Sequence, residues 1–148
     1  MVTVSGSLTV QAPLEHVWEV ATDPRLSTRW NPNVVDVRNV RGLPVARGTR
    51  WTQVVRVLGA NTILEAEVVE CEAPMRGVVQ MKGRGNPRVT TTLEPESDGV
   101  RLTQEMAIDF GGTLGGLAGR VAKPQIEKEL NEALRRQKAA AESSSRPG

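Results

Sequence analysis

The chain holds one histidine, His16, and one cysteine, Cys71, so the side chains that most often act as general bases, nucleophiles and soft-metal ligands occur once each. His16 falls between Leu14 and Val17, off the apolar stripe of its segment, and no motif places a serine or cysteine nucleophile beside it. A solvent-exposed position is expected for it. Cys71 is followed by the acidic Glu72, a setting that does not mark a reactive thiolate, and a lone cysteine cannot close an internal disulfide. No cluster of histidine, cysteine or carboxylate residues has metal-ligand spacing. The glycine-rich run FGGTLGGLAGRVAK, residues 110–123, lacks the lysine-serine or lysine-threonine ending of a nucleotide P-loop and does not fit the first turn of a dinucleotide fold. It reads as a connection before a helix, where mobility would gate a ligand. No catalytic residue, metal or cofactor is expected.

Three uncharged polar residues are more informative. Side chains alternate across a strand, so charged positions mark the face turned to water. Asp36, Arg38, Arg56, Glu65, Glu67, Arg76, Lys82, Arg88, Glu94, Arg101 and Glu105 fall on one side of their strands. The opposite side carries Val35, Val37, Trp51, Val55, Val57, Leu64, Ala66, Val68, Val79, Met81, Val89, Leu93, Leu102, Met106 and Ile108. Gln53, Thr91 and Gln104 are in phase with this apolar set. An amide or a hydroxyl gives and takes hydrogen bonds but does not exchange protons near neutral pH, so these groups orient a guest better than they transform it. Arg88 and Asp109, near strand ends, would turn toward a cavity mouth only if a bulge shifted the register.

The elements that position these residues follow from periodicity. Val2 to Val10 alternates as a half-buried strand. Pro13 opens a helix carrying Leu14, Val17, Trp18 and Ala21 on one stripe, and Pro24 ends it. The segment PRLSTRWNP reads as a second short helical turn. Six strands then fit between turn signals: Val34 to Val40, Thr49 to Leu58, Thr62 to Cys71, Arg76 to Lys82, Arg88 to Pro95 and Val100 to Phe110. Their short connections require antiparallel neighbours. Leu114, Leu117, Val121, Ile126, Leu130 and Leu134 mark one long C-terminal helix that Pro124 kinks or starts, and the tail AAAESSSRPG is expected to fray.

These parts give an α+β chain: a curved seven-stranded antiparallel sheet, two short helices after the first strand, and a long helix laid on the apolar face. A sheet of seven strands is wider than one helix about 10 Å across, and only four aromatic residues are available to fill the difference. A cavity is therefore expected beneath the helix. Val55, Leu64, Val68, Met81, Val89, Leu102 and Met106 are candidate lining from the sheet, with Gln53, Thr91 and Gln104 as its polar points. Leu114, Leu117 and Val121 dip toward it from the helix. Trp18 reads as core, Trp30 as a ligand contact near the opening, and Trp51 as a cap whose indole nitrogen meets a polar head.

With 148 residues, the chain is the size of one domain, read as residues 1–138 with a disordered tail at 139–148. The net charge of +2 is scattered and aromatics make up 3%, a composition that argues against nucleic-acid binding. The sequence has neither a signal-peptide pattern nor an apolar run long enough to span a bilayer, so a cytoplasmic setting is expected. Oligomeric state has no sequence signal.

The order strand, two short helices, six strands and long helix resembles the START-like helix-grip superfamily, which includes the polyketide cyclase/dehydrase and lipid-transport family. APLEHVWEVATDPRLSTRWNPNV looks like its opening, ARGTRW like its third-strand entry and DGVRLTQEMAIDFGG like its last strand. The resemblance runs from about Val4 to Lys138. It implies a hydrophobic tunnel used for lipids, polyketides and other apolar ligands. Three functions follow: a carrier, sensor or sequestering binder of a hydrophobic small molecule; an aromatase/cyclase-type enzyme; or a protein-interaction accessory factor, resembling the accessory G protein of carbon monoxide dehydrogenase or a toxin-like member. A titratable residue facing inward would favour the second, and a filled cavity the third.

Overall fold

The first strand of the computed structural model, which describes residues 1–57, 59–111 and 115–144, is β1 (Val2–Val10). It buries Val2, Val4 and Val10 while Thr3, Ser5 and Ser7 stay exposed, as the alternation requires. Helix α1 (Leu14–Thr22) follows, with Pro13 as its extended N-cap rather than its first helical residue. Asp23 closes α1 and caps a 3-10 turn at Pro24–Leu26 by accepting from the Arg25 amide; α2 (Ser27–Trp30) completes the connection. Short side-chain acceptors suit such caps because the first helical amides lack partners within the helix.

Six strands then run β2 (Val34–Arg41), β3 (Arg50–Val57), β4 (Ala60–Glu72), β5 (Arg76–Lys82), β6 (Arg88–Glu96) and β7 (Gly99–Ile108). The sheet order is β1-β7-β6-β5-β4-β3-β2 and every pair is antiparallel, so the meander from β2 to β7 is closed by β1 against the last strand. This is the helix-grip arrangement. The last strand ends at Ile108, two residues short of the expected Phe110, and the expected end of the third strand, Leu58, lies outside the described residues.

Two strands depart from regular pairing: β4 shifts register between Val68 and Glu70, and β2 is irregular at two places. Val34 pairs with Val55 but Asp36 pairs with Val54, so an irregularity consumes one residue of β2. Val34 is consequently the buried one, and Val35, expected to face inward, is 49% exposed. On the outer face, charges pair as expected across neighbouring strands, with Arg50 to Glu67 at 3.1 Å and Arg101 to Glu96 at 3.0 Å. Arg88 and Asp109 stay exposed on the outside.

Helix α3 (Gly115–Ser144) carries Pro124 inside it and packs chiefly on β1, with further contacts to α1, α2 and β7. Gly6 permits that approach: a Cβ there would stand 2.5 Å from Asn131 Oδ1 and 2.7 Å from Leu134 Cδ1. The helix buries Ala122, Ile126, Leu130, Ala133, Leu134 and Ala141. The disordered tail expected at 139–148 is corrected as far as Ser144, to which α3 continues because its end is tied down; residues 145–148 lie outside the described residues. Lys138 Nζ donates to Thr9 O at 2.8 Å, the Gln11 amide donates to Glu142 Oε2 at 2.8 Å, and His16 Nε2 bonds Ser144 Oγ at 2.6 Å. His16 is thus half-buried rather than exposed. Among the described residues, no helix is long and apolar enough to cross a membrane.

Two apolar clusters result. One joins β1, β6 and β7 to α1 and α3 through Val10, Leu93, Leu102, Ile126 and Leu134. The other lies on β2 to β5 and contains Val34, Trp51, Val55, Leu64, Val68 and Met81. Because α3 crosses the β1 side of the sheet, it does not seal the second cluster against the first.

Candidate functional site

Between the two clusters lies a cavity of about 190 Å³. Of the residues expected to line it, Trp30, Trp51, Gln53, Val55, Leu64, Val68, Met81, Val89, Thr91, Gln104 and Met106 do so. Three do not. Leu102 is fully buried in the β1-side core, where it pairs with Leu8 and Leu93, because strand alternation fixes a face and not a position along it. Leu117 and Val121 are 64% and 76% exposed and point away from the cavity. Leu114 lies outside the described residues. The helix instead contributes Ile126, Leu130 and Ala133, one turn and more further along, with half-buried Glu129 beside them. Trp18, read as core, also reaches the lining.

The polar points are arranged as two stations. At the first, Trp51 Nε1 donates to Gln53 Oε1 at 2.8 Å, so that indole nitrogen is occupied and does not meet a ligand head as expected. Gln53 Nε2 faces the thioether of Met81 at 3.6 Å, a weak acceptor that leaves amide donor capacity unspent. At the second, Gln104 Nε2 donates to Thr91 Oγ1 at 3.2 Å and to Gln137 Oε1 at 3.1 Å, while Gln137 Nε2 returns a bond to Gln104 Oε1 at 2.7 Å and reaches Ala133 O at 3.3 Å. The N–H donors of both amides are thereby spent, and each amide oxygen accepts one bond. The Thr91 hydroxyl, having accepted from Gln104, keeps its own proton to donate.

A charged group missed by the alternation argument also reaches the lining. Asp23 is only 7% exposed, and its carboxylate is engaged on both oxygens by Arg25, through Nε at 3.1 Å, the terminal nitrogen at 2.7 Å and the backbone amide at 3.0 Å. The guanidinium hydrogen bonds hold the carboxyl below its ordinary pKa, against the opposing effect of burial. Asp23 sits in the link between helices, where strand periodicity says nothing. The Asp-Pro pair at 23–24 is the available signal, since aspartate before a proline marks a helix start. Trp30 Nε1 donates to Val20 O at 2.9 Å and Ser27 Oγ to Pro24 O at 2.7 Å, so this corner is internally satisfied. Exposed Arg56 and half-buried Asn31 and Asn33 complete the lining where β2 and β3 meet α2.

Among the described residues, no group of three or more histidine, cysteine, aspartate or glutamate side chains is gathered for a metal ion. The arrangement can hold an apolar body against aliphatic and indole surface and donate hydrogen bonds to it at two places.

The sequence matches the family described as polyketide cyclase / dehydrase and lipid transport over residues 1–142. The chain belongs to that family. Solved structures similar to this polyketide cyclase/dehydrase and lipid-transport family member include a protein from Thermus thermophilus, 19% identical with TM-score 0.79, covering 97% of this chain and 99% of that one. A conserved protein from Geobacillus kaustophilus is 14% identical with TM-score 0.78, covering 98% of both chains. An AHSA1-like protein from Aeromonas hydrophila is 19% identical with TM-score 0.68, covering 96% and 93%. At these identities the likeness is one of fold. Among curated proteins, none matches this family member.

Proposed function

We propose that the chain binds an uncharged, apolar small molecule in the cavity between β3–β6 and α3, as a carrier, sensor or sequestering protein. The observation that carries this reading is an unfilled apolar space whose polar lining is met mainly by amides and a hydroxyl. A dry apolar cavity of roughly 150 Å³ accepts benzene, so about 190 Å³ suits one or two rings, with larger substituents leaving through the mouth. An anionic head is disfavoured. Arg25 is already committed to Asp23, Arg56 is exposed at the rim, and Asp23 and Glu129 add negative charge to the lining. The unspent donors at Gln53 and Thr91 favour an acceptor such as a carbonyl.

The cyclase-type alternative needs a proton acceptor of suitable strength. Of the two carboxylates in the lining, Asp23, already paired and with its pKa lowered, is a weak base at neutral pH, and half-buried Glu129 accepts from Gln125 Nε2 at 3.1 Å on the solvent side of α3. The binder reading is therefore preferred. Titration with 2-acetylnaphthalene should quench the fluorescence of Trp18, Trp30 and Trp51, and 2-naphthoate should bind at least about tenfold more weakly, the equivalent of roughly 1.4 kcal/mol. Val79→Trp, which places an indole in the cavity, should abolish the response while the protein stays folded. Failure of all such probes to bind, or binding unchanged in Val79→Trp, would overturn the proposal.

A further inference from the structure

The outer surface of the first turns of α3 is not what a surface helix ordinarily presents. Leu117 and Val121 lie four residues apart, on one stripe, and both are largely exposed; exposed Pro124 continues the stripe. Around this apolar strip stand Arg120, Lys123 and Lys128, all exposed, and Glu127 is the one acidic residue between 117 and 128. None of these three cations makes an ion pair among the described residues. The second half of the same helix behaves otherwise: Glu132 pairs with Arg135 and Arg136, and Lys138 pairs with Glu142. Apolar exposure and unspent positive charge thus coincide at one end of one helix.

We infer that the outer face of α3 from Leu117 to Lys128 docks on an anionic lipid surface. An amphipathic helix with aliphatic residues flanked by basic ones lies in the headgroup region, its apolar side chains entering the acyl boundary while lysine and arginine meet lipid phosphates and carboxylates. A second copy of the chain is the poorer partner, because a two-fold contact through this face would bring Arg120, Lys123 and Lys128 of both copies together. Docking here holds the cavity beside the bilayer, since Ile126 and Leu130 of the next turns line it from the inner side of the same helix. The surface does not depend on the identity of the cavity's guest.

The test is co-sedimentation of the full chain with vesicles of phosphatidylcholine, with and without phosphatidylserine. Binding is expected only to the phosphatidylserine vesicles, weakening as salt rises and the Debye length shrinks. Arg120→Glu/Lys123→Glu should lower partitioning by about tenfold or more, given the roughly fivefold expected per surface cation, and, separately, Leu117→Ser/Val121→Ser should lower it by about tenfold or more through the lost burial of two aliphatic side chains. Both pairs are exposed, so the circular dichroism spectrum and 2-acetylnaphthalene binding should be unchanged. The inference is overturned if wild type ignores anionic vesicles at low salt, if the paired substitutions leave binding unaltered, or if they dissolve a dimer in sedimentation velocity while vesicles stay unbound.

Discussion

Replacing Gln104 with leucine asks how much the buried amide network is worth. The substitution nearly conserves volume but removes the bonds to Thr91 Oγ1 and Gln137 Oε1 and the returning bond from Gln137 Nε2. Gln137 is 1% exposed and has no route to water; it would keep only its 3.3 Å bond to Ala133 O, leaving Oε1 and one N–H orphaned. Each such orphan costs about 1–3 kcal/mol, partly offset by the gain in buried apolar surface, so a net loss of about 2–4 kcal/mol is expected. For a chain of this length that lowers the melting temperature by about 5 to 15 °C. Urea denaturation of the ligand-free protein measures the loss. The double variant Gln104→Leu/Gln137→Leu removes both partners and should recover most of it, giving a coupling energy of about 1–3 kcal/mol. The reasoning is refuted if Gln104→Leu lies within about 0.5 kcal/mol of wild type, or if the double variant costs the sum of the singles.

Gly6→Val should destabilise by about 1–3 kcal/mol, because its branches must displace Asn131 and Leu134; a thermal melt equal to wild type would show that α3 stands off β1. Asp23→Asn tests the ion pair through pH. The folded carboxyl sits below its unfolded value of about 4, so its contribution is complete above that value and fades as pH falls through the folded one. Stability at pH near 7 should therefore drop in Asp23→Asn and the loss of stability on acidification should flatten; parallel curves for the two proteins would remove Asp23 from the account.

Much of this arrangement is legible in alternation and spacing. The turn signals delimit Arg76–Lys82 to the residue, and Gln53, Thr91 and Gln104 stand out because a polar residue in phase with apolar ones is carried to the same inner face as they are. The misreadings have local causes. Val35 fails at an irregular pairing that shifts the strand by one residue, which no period-two count detects. Leu117 and Val121 fail because large aliphatics do not mark the buried side of α3 in its first turns. The buried side there is made instead of Gly119 and Ala122, residues small enough to let the backbone approach β1. The helical residues past Lys138 escape because small and polar composition says nothing of tertiary ties such as Lys138 to Thr9 O. Asp23 escapes because a capping residue obeys no strand rhythm.

The pairing of β1 with β7 joins Val2 to Ile108 and Val10 to Val100, neighbours separated by most of the chain. During synthesis, strand one must therefore wait, its edge bare, until the seventh has left the ribosome, and the chamber acquires its far wall only when the closing helix arrives. Contacts of such long sequence separation form slowly and leave edges and apolar faces open to other chains in the interval. The same topology that furnishes a receptacle in the finished molecule thus makes the nascent one dependent on its final thirty helical residues, and a protein shortened within them would be expected to aggregate rather than merely lose its guest.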